Sequence, residues 1–255
     1  MFKALQLADE VFLEQNKWQT FLTYRAIKAH LSINLRSNSS FVDLLILLCN
    51  RNEKIGYRNV WNRWGYTRYV LHDTNIYRAQ NYLNLFKKHL QPYHADRQKR
   101  IVLMPGAGGV HKRWALQNYI RLAEKLQHAY PRFEIAFVLG AQEHDLERSI
   151  RDAGLRCHND LELSDLFTFI KSSSLVIAND CGPSHIAQIY MVPTIVLHSD
   201  ETLGAAATIR EWFHSHDASR AIIGKAGKSI DTIQVDRVLD AACKLLGGVL
   251  TPNQS

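Results

Sequence analysis

Long apolar runs are missing from this chain. The longest, FVDLLILLC (41–49), is broken by Asp43 and is too short to cross a bilayer. Near the start, Asp9, Glu10 and Glu14 fall where a secretory leader needs an unbroken apolar core, so no leader is expected. Cysteine is sparse. Cys49, Cys157, Cys181 and Cys243 are scattered, with no CxxC and no histidine at zinc-ligand spacing. That pattern argues against a disulfide scaffold or structural metal and fits a reducing, cytoplasmic compartment. His214 and His216 form an HxH that nothing nearby completes, which reads as a pair of surface histidines. There is no P-loop signature GxxxxGK[ST], no Asp-x-Asp metal motif, no internal repeat and no low-complexity tract.

What is present is ordinary for a folded protein: 255 residues, 46% hydrophobic and 22% charged. That is long enough for a sizeable core in one large domain or two small ones. The formal net charge of +7 points to an anionic partner, whether nucleic acid, an anionic membrane surface or a phosphorylated small molecule. The basic residues sit in short clusters at Lys87-Lys88, at 97–100 and at His111-Lys112-Arg113. They are not interleaved with aromatics or carried on a recognition helix, so nucleic acid is not the expected partner.

The second half alternates between two periodicities. IVLMP (101–105), EIAFVLG (134–140), LVIAND (175–180) and PTIVLHSD (193–200) are continuous apolar runs of strand length. Between and after them, 115–130, 143–154, LSDLFTFIKSSS (163–174, with Ser164 as N-cap), SHIAQIYM (184–191) and 235–248 have helical spacing. Buried runs alternating with helices predict an α/β fold with a parallel sheet covered on both faces. The first half is less regular. It predicts a helix within 18–30, strands at LSINLR (31–36), KIGYR (54–58) and RYVLH (68–72), and helices at 39–49 and 75–90. QPYHADRQKR (91–100) is polar and aperiodic, and reads as a linker. The expected division is a shortened N-terminal unit, 1–92, and a C-terminal unit, 93–255.

Two loops stand out. In VLMPGAGGVHKRWALQNY a strand ends, Gly106, Gly108 and Gly109 permit close backbone approach, and Lys112 and Arg113 precede a helix. Glycine amides, a helix start and a lysine suit phosphate, but a tight strand–helix turn with solvated basic residues fits the same spacing. Trp114 reads as a packing residue. In LVIANDCGPSHIAQ an apolar strand ends in small polar residues. Pro183 suits a first helical turn, and Ser184 and the amides around Gly182 could meet a diphosphate. Asp180 would instead hold a sugar or ribose hydroxyl, or cap the helix. His185 is either a hydrogen-bonded core histidine or a functional one. Two such loops at strand ends of one parallel sheet favour a shared ligand.

PGAGGVHKRWALQNYIRLAEKL, FVLGAQEHD and SSLVIANDCGPSHIAQIYMVPTIVLH together resemble the lipopolysaccharide heptosyltransferases, glycosyltransferase family 9, with similarity over roughly residues 31–248. The resemblance implies two Rossmann-like halves of the GT-B type. It also implies inverting transfer of a heptose from ADP-heptose to a lipopolysaccharide core acceptor. No cofactor is implied, since the nucleotide sugar is a substrate, and metal independence is expected. By the resemblance, Lys112 meets the sugar-nucleotide phosphates together with Ala107, Gly108, Gly109 and Arg113. Asp180 binds the donor sugar, and Cys181, Gly182, Pro183 and Ser184 the diphosphate, with His185 matching a family histidine. Gln142 falls at the ribose and Leu161 at the adenine. Lys112 and Asp180 are the catalytic candidates. The acceptor implies work at the cytoplasmic face of the inner membrane, which the positive charge would favour.

Two departures matter. Cys181 replaces a hydroxyl residue, and a thiol donates hydrogen bonds poorly. The family also opens with a Gly-Asp turn whose aspartate activates the acceptor, and this sequence contains no Gly-Asp. No motif assigns Asp9, Asp43 or Asp73 to that task. The alternative is therefore a catalytically inactive relative that binds a nucleotide sugar or serves as an assembly partner.

Overall fold

The computed structural model describes residues 16–36, 40–58, 65–91, 96–202 and 204–249, which leaves Asp9 and residues 92–95 of the expected linker outside the described residues. The chain divides into two compact units, Met1–Leu90 and Gln91–Ser255.

The first unit holds three parallel strands in the order β1 (Leu31–Ile33), β2 (Glu53–Tyr57) and β3 (Arg68–Val70). Helices α1 (Lys17–Ala26), α2 (Ser40–Cys49) and α3 (Arg78–Asn84) accompany them. Its core is small, with Ile55, Tyr57 and Leu85 buried together. Asp43 is buried in α2, accepting from Asn34 Nδ2 at 2.8 Å and from the Tyr66 hydroxyl. Asp73 follows β3, and buried Asn81 grips its backbone amide and carbonyl. Helix α3 is much shorter than its apolar spacing predicts. The Gln80 side chain bonds Asn84 Oδ1, Lys88 O and Leu90 N, and Lys87 adopts φ +54°, so side-chain contacts replace the next helical turn.

The second unit is a six-stranded, wholly parallel sheet. Its strands are β4 (Gln98–Met104), β5 (Glu134–Leu139), β6 (Arg156–Asn159), β7 (Ser173–Asn179), β8 (Thr194–His198) and β9 (Ser219–Ile223), in the order β6-β5-β4-β7-β8-β9. The apolar runs are continuous because both faces are covered. Ile101, Leu103, Leu175 and Ile177 point into one core, against α4 (Leu116–Ala129) and α9 (Val235–Val249). Val102, Met104, Val176 and Ala178 point into the other, with Ile170 of α6 (Leu163–Lys171) and Ala187 of α7 (Gly182–Ile189). Each fully buried side chain of this size contributes roughly 1.5–3 kcal/mol of transfer free energy. Helix α5 (His144–Asp152) ends in Gly154 at φ +72°, where glycine escapes the left-handed steric penalty.

Several details depart from the sequence expectations. Residues 98–100 belong to β4, not to a linker. Helix α6 starts two residues earlier, with Glu162 rather than Ser164 in the capping position. Strands β6 and β9 and helix α8 (Ala205–Trp212) were not anticipated. His214 and His216 are half-buried rather than on the surface. The His214 amide donates to Gln188 Oε1 at 2.6 Å, and His216 Nδ1 accepts from the Ala218 amide at 3.3 Å.

Candidate functional site

The sheet order places a crossover reversal between β4 and β7. From β4 the chain winds outward through β5 and β6, then returns to β7 and winds the other way. Loops leaving the carboxyl ends of strands at such a point diverge and leave a crevice, the usual ligand position in open α/β sheets. Both loops singled out in the sequence lie there. After β4 the chain runs through Gly106–Gly109 into a 3₁₀ turn, Val110–Lys112; after β7 it passes Asp180 and enters α7.

Buried Asn179, the last residue of β7, joins the two loops. Its Oδ1 accepts from the Trp114 amide (3.2 Å) and the Tyr119 hydroxyl (3.1 Å), and its Nδ2 donates to Pro105 O (2.7 Å). Trp114 is the packing residue its sequence context suggests: it is buried, and its Nε1 donates to Ile233 O at 3.0 Å. With both loops pinned, Lys112 Nζ lies 2.7 Å from Asp180 Oδ2. Asp180 is mostly buried, while the lysine remains partly open to solvent. Burial alone would raise the Asp180 pKa, but Lys112 bonds its ionised form and His198 and His185 add positive potential, so it lies below the usual carboxylate value. His185 Nε2 is 3.9 Å from Asp180 Oδ1. Burial pushes its pKa down, and Asp180 offsets that only in part.

Beside this pair is a cavity of about 430 Å³. Ala107, Gly108, Cys181, Gly182 and Pro183 line it together with Gln142 and Leu161, and with Val138, Ala141 and Leu166. Seven of the thirteen sequence candidates thus line one cavity. Lys112, Asp180 and His185 form the adjoining charged cluster. Gly109 packs against the His111 ring. Ser184 is fully buried, and its Oγ donates to Cys181 O at 2.8 Å, capping α7. Arg113 Nε donates to Ala107 O at 3.0 Å, and its Nη2 lies 3.3 Å from Glu143 Oε1. A Cβ added at Gly108 or Gly182 would meet nothing within 4 Å, so the space beside both is left open by the protein itself.

The arrangement offers a helix start whose first amide, at Gly182, precedes a proline with no amide proton, together with a lysine and glycine-bordered space for an anion, beside a mostly apolar cavity. Burial pushes the Cys181 thiol up to about 11, which leaves it protonated and unreactive at neutral pH. Three residues here were not found from sequence: Asn179, Glu143 and His198. Glu143 adjoins Gln142 on the cavity wall, and an acidic residue beside a post-strand glycine was the one available signal for it. Among the described residues no group of three or more His, Cys, Asp or Glu is placed to hold a metal ion, and no helix is long and apolar enough to cross a membrane.

Fold and site together define a GT-B-type α/β protein with a crevice suited to an anionic ligand. The chain belongs to glycosyltransferase family 9 (heptosyltransferase), whose profile matches residues 1–217. Solved structures with a similar fold include a family 9 glycosyltransferase from Veillonella parvula DSM 2008 (TM-score 0.67, 15% identity, covering 91% of this chain and 78% of that one). Another is the E. coli heptosyltransferase WaaC with ADP (0.67, 14%, 90% and 77%). A third is the E. coli ADP-heptose lps heptosyltransferase II (0.65, 17%, 92% and 82%). No curated protein is significantly similar in sequence.

Proposed function

We propose that this chain transfers a heptose from ADP-heptose to a lipopolysaccharide core acceptor, by displacement with inversion at the anomeric carbon. The observation that carries the reading is the Lys112–Asp180 pair beside the start of α7, at the crossover reversal of the sheet. The acceptor oxygen attacks the anomeric carbon, the bond to the diphosphate oxygen breaks, and negative charge accumulates on the leaving nucleotide. Lys112 and the Gly182 amide at the start of α7 stabilise that charge in a partly desolvated crevice, where fixed dipoles act most strongly. Asp180 accepts hydrogen bonds from the donor sugar's hydroxyls. The adenine lies in the slot by Leu161, with the ribose towards Gln142.

A family member solved with ADP supports a nucleotide-diphosphate partner. The acceptor activation has no assigned residue, so the test separates binding from turnover. Calorimetry with ADP, UDP and GDP is expected to show saturable, ADP-selective binding, weakened by Lys112→Ala about 10-fold or more, the size expected for a charged hydrogen bond. Release of ADP from ADP-heptose only in the presence of core acceptor, and unaffected by EDTA, completes the reading. Selective binding without turnover would instead support a non-catalytic binding or assembly partner. Failure of a folded protein to bind any of the three nucleotides would overturn both.

A further inference from the structure

The His111-Lys112-Arg113 cluster supplies two cations beside the crevice, and both face carboxylates: Lys112 meets Asp180, and Arg113 meets Glu143. The two pairs are built differently. Lys112 makes one contact, at 2.7 Å, and its side chain retains 39% exposure, so an incoming anion can reach it. Arg113 is held at two points, by Ala107 O and by Glu143 Oε1. Glu143 is itself only 8% exposed, and its other oxygen, Oε2, accepts from the Gly140 amide at 3.2 Å. A continuous path therefore runs from Gly140, just after β5, through Glu143 and Arg113, to Ala107, in the turn after β4. It ties together the two loops that border the cavity.

Gly106 fits the same device. A Cβ there would stand 2.7 Å from the Glu143 carboxyl carbon, so the carboxylate occupies the space that glycine leaves. A buried carboxylate at the edge of an anion site is otherwise a liability, because its charge repels the ligand.

We propose that Arg113 and Glu143 are positioning residues, a fixed brace that sets the Ala107–Gly109 turn for the diphosphate, while Lys112 is the cation that exchanges Asp180 for the ligand. This rests on the nucleotide-site reading above. The brace and direct phosphate contact by Arg113 predict different outcomes. If Glu143 merely repels the ligand, Glu143→Gln tightens ADP binding. If Arg113 touches phosphate, its loss weakens ADP binding whether or not Glu143 is present. The brace predicts weaker binding for each single variant and no further loss in the double variant, because either change breaks the same path.

The experiment is a double-mutant cycle of Arg113→Met and Glu143→Gln in the full chain, with calorimetric titration of ADP and of adenosine. Each single variant is expected to weaken ADP binding about 3- to 10-fold, with the double no worse than the weaker single. Adenosine affinity should stay near wild type, and the melting temperature should fall less in the double variant than in Arg113→Met, which leaves Glu143 unpaired, a split that general loss of structure would not produce. Arg113→Lys, which cannot reach both acceptors with a planar fork, should fail to restore affinity. Hydrogen exchange supplies the independent readout: amides of 106–112 should exchange faster in both singles, with β4 and α4 unchanged. Additive losses, tighter binding by Glu143→Gln, or unchanged exchange of the turn would overturn the brace. If wild type binds no ADP, the nucleotide reading fails, and the exchange data alone decide whether the brace exists.

Discussion

At Asp180 several basic groups act on one carboxylate, and each is positioned by a different element. Lys112 comes from the turn after β4, His185 from α7 and His198 from the end of β8. If the carboxylate serves the sugar while Lys112 serves the diphosphate, Asp180→Asn should tighten ADP binding, by freeing Lys112 of its partner, while removing the extra affinity of ADP-heptose over ADP. Equal losses for both ligands in calorimetry would contradict that division. The same cluster sets an acid limit. Burial depresses His198 from 6.5 to about 4, and its Nε2 finds no partner among the described residues. Between those values the unfolded chain binds a proton that the folded chain does not, so stability falls as pH drops through the window, by at most about 3 kcal/mol. Asp180 adds a loss lower down, since its depressed pKa stabilises the fold until pH falls through the folded value. Urea midpoints at pH 7.5 and 5 should differ in wild type and differ less in His198→Phe. Lys112 and Asp180 were legible in the sequence because each adjoins a glycine-bearing turn at a strand end. Asn179 was not: its partners lie 60 to 74 residues away and leave no local pattern.

At the scale of elements, α7 carries a compromise. It has eight residues, begins Gly182-Pro183, and has a cysteine at its N-cap. A thiol is a weak acceptor for first-turn amides, and Ser184 Oγ supplies the local hydrogen bonds instead. Cys181→Thr should stabilise the protein by about 0.5–1 kcal/mol, visible as a higher urea midpoint with unchanged slope. It should also tighten ADP binding, because the hydroxyl sits on the cavity wall. A stabilised variant with unchanged affinity would confine position 181 to capping. Strands β4, β5, β7 and β8 were legible because burial on both faces demands unbroken apolar runs. Strand β6 was not, since RCHN is a four-residue edge strand with no residue fully buried. Strand β9 has only two buried residues, and its neighbour α8 buries only Ala205, so neither shows a clear period.

For the whole molecule, the distribution of buried apolar surface decides which part can stand alone. The two cores of the second unit take in buried side chains from every strand of its sheet except β6, and every residue of the cavity wall belongs to that unit. Among the described residues of the first unit Ile55, Tyr57 and Leu85 pack as one core, and Leu45, Ile46, Tyr66 and Tyr77 are buried outside it, while Leu31, Ile33, Leu35, Leu44 and Leu48 are exposed. No residue of α1 is buried. Among the described residues, this smaller core offsets conformational entropy less well than the two cores of the second unit do. The fragment 91–255 is therefore expected to fold cooperatively and to bind ADP within about 2-fold of the full chain, since the ligand's contacts are internal to it. The fragment 1–90 should show weak cooperativity in urea and early loss to limited proteolysis. Chain-wide charge yields a further contrast. If the +7 balance served nucleic acid, association would fall steeply with salt and Lys112→Ala would matter only as one charge among many. Calorimetry of the full chain with ADP and with a short oligonucleotide at 50 and 300 mM salt separates the two. A site built on hydrogen bonds from one helix start, one lysine and an apolar slot should lose only a few-fold in affinity, and Lys112→Ala should dominate the loss at both salt concentrations.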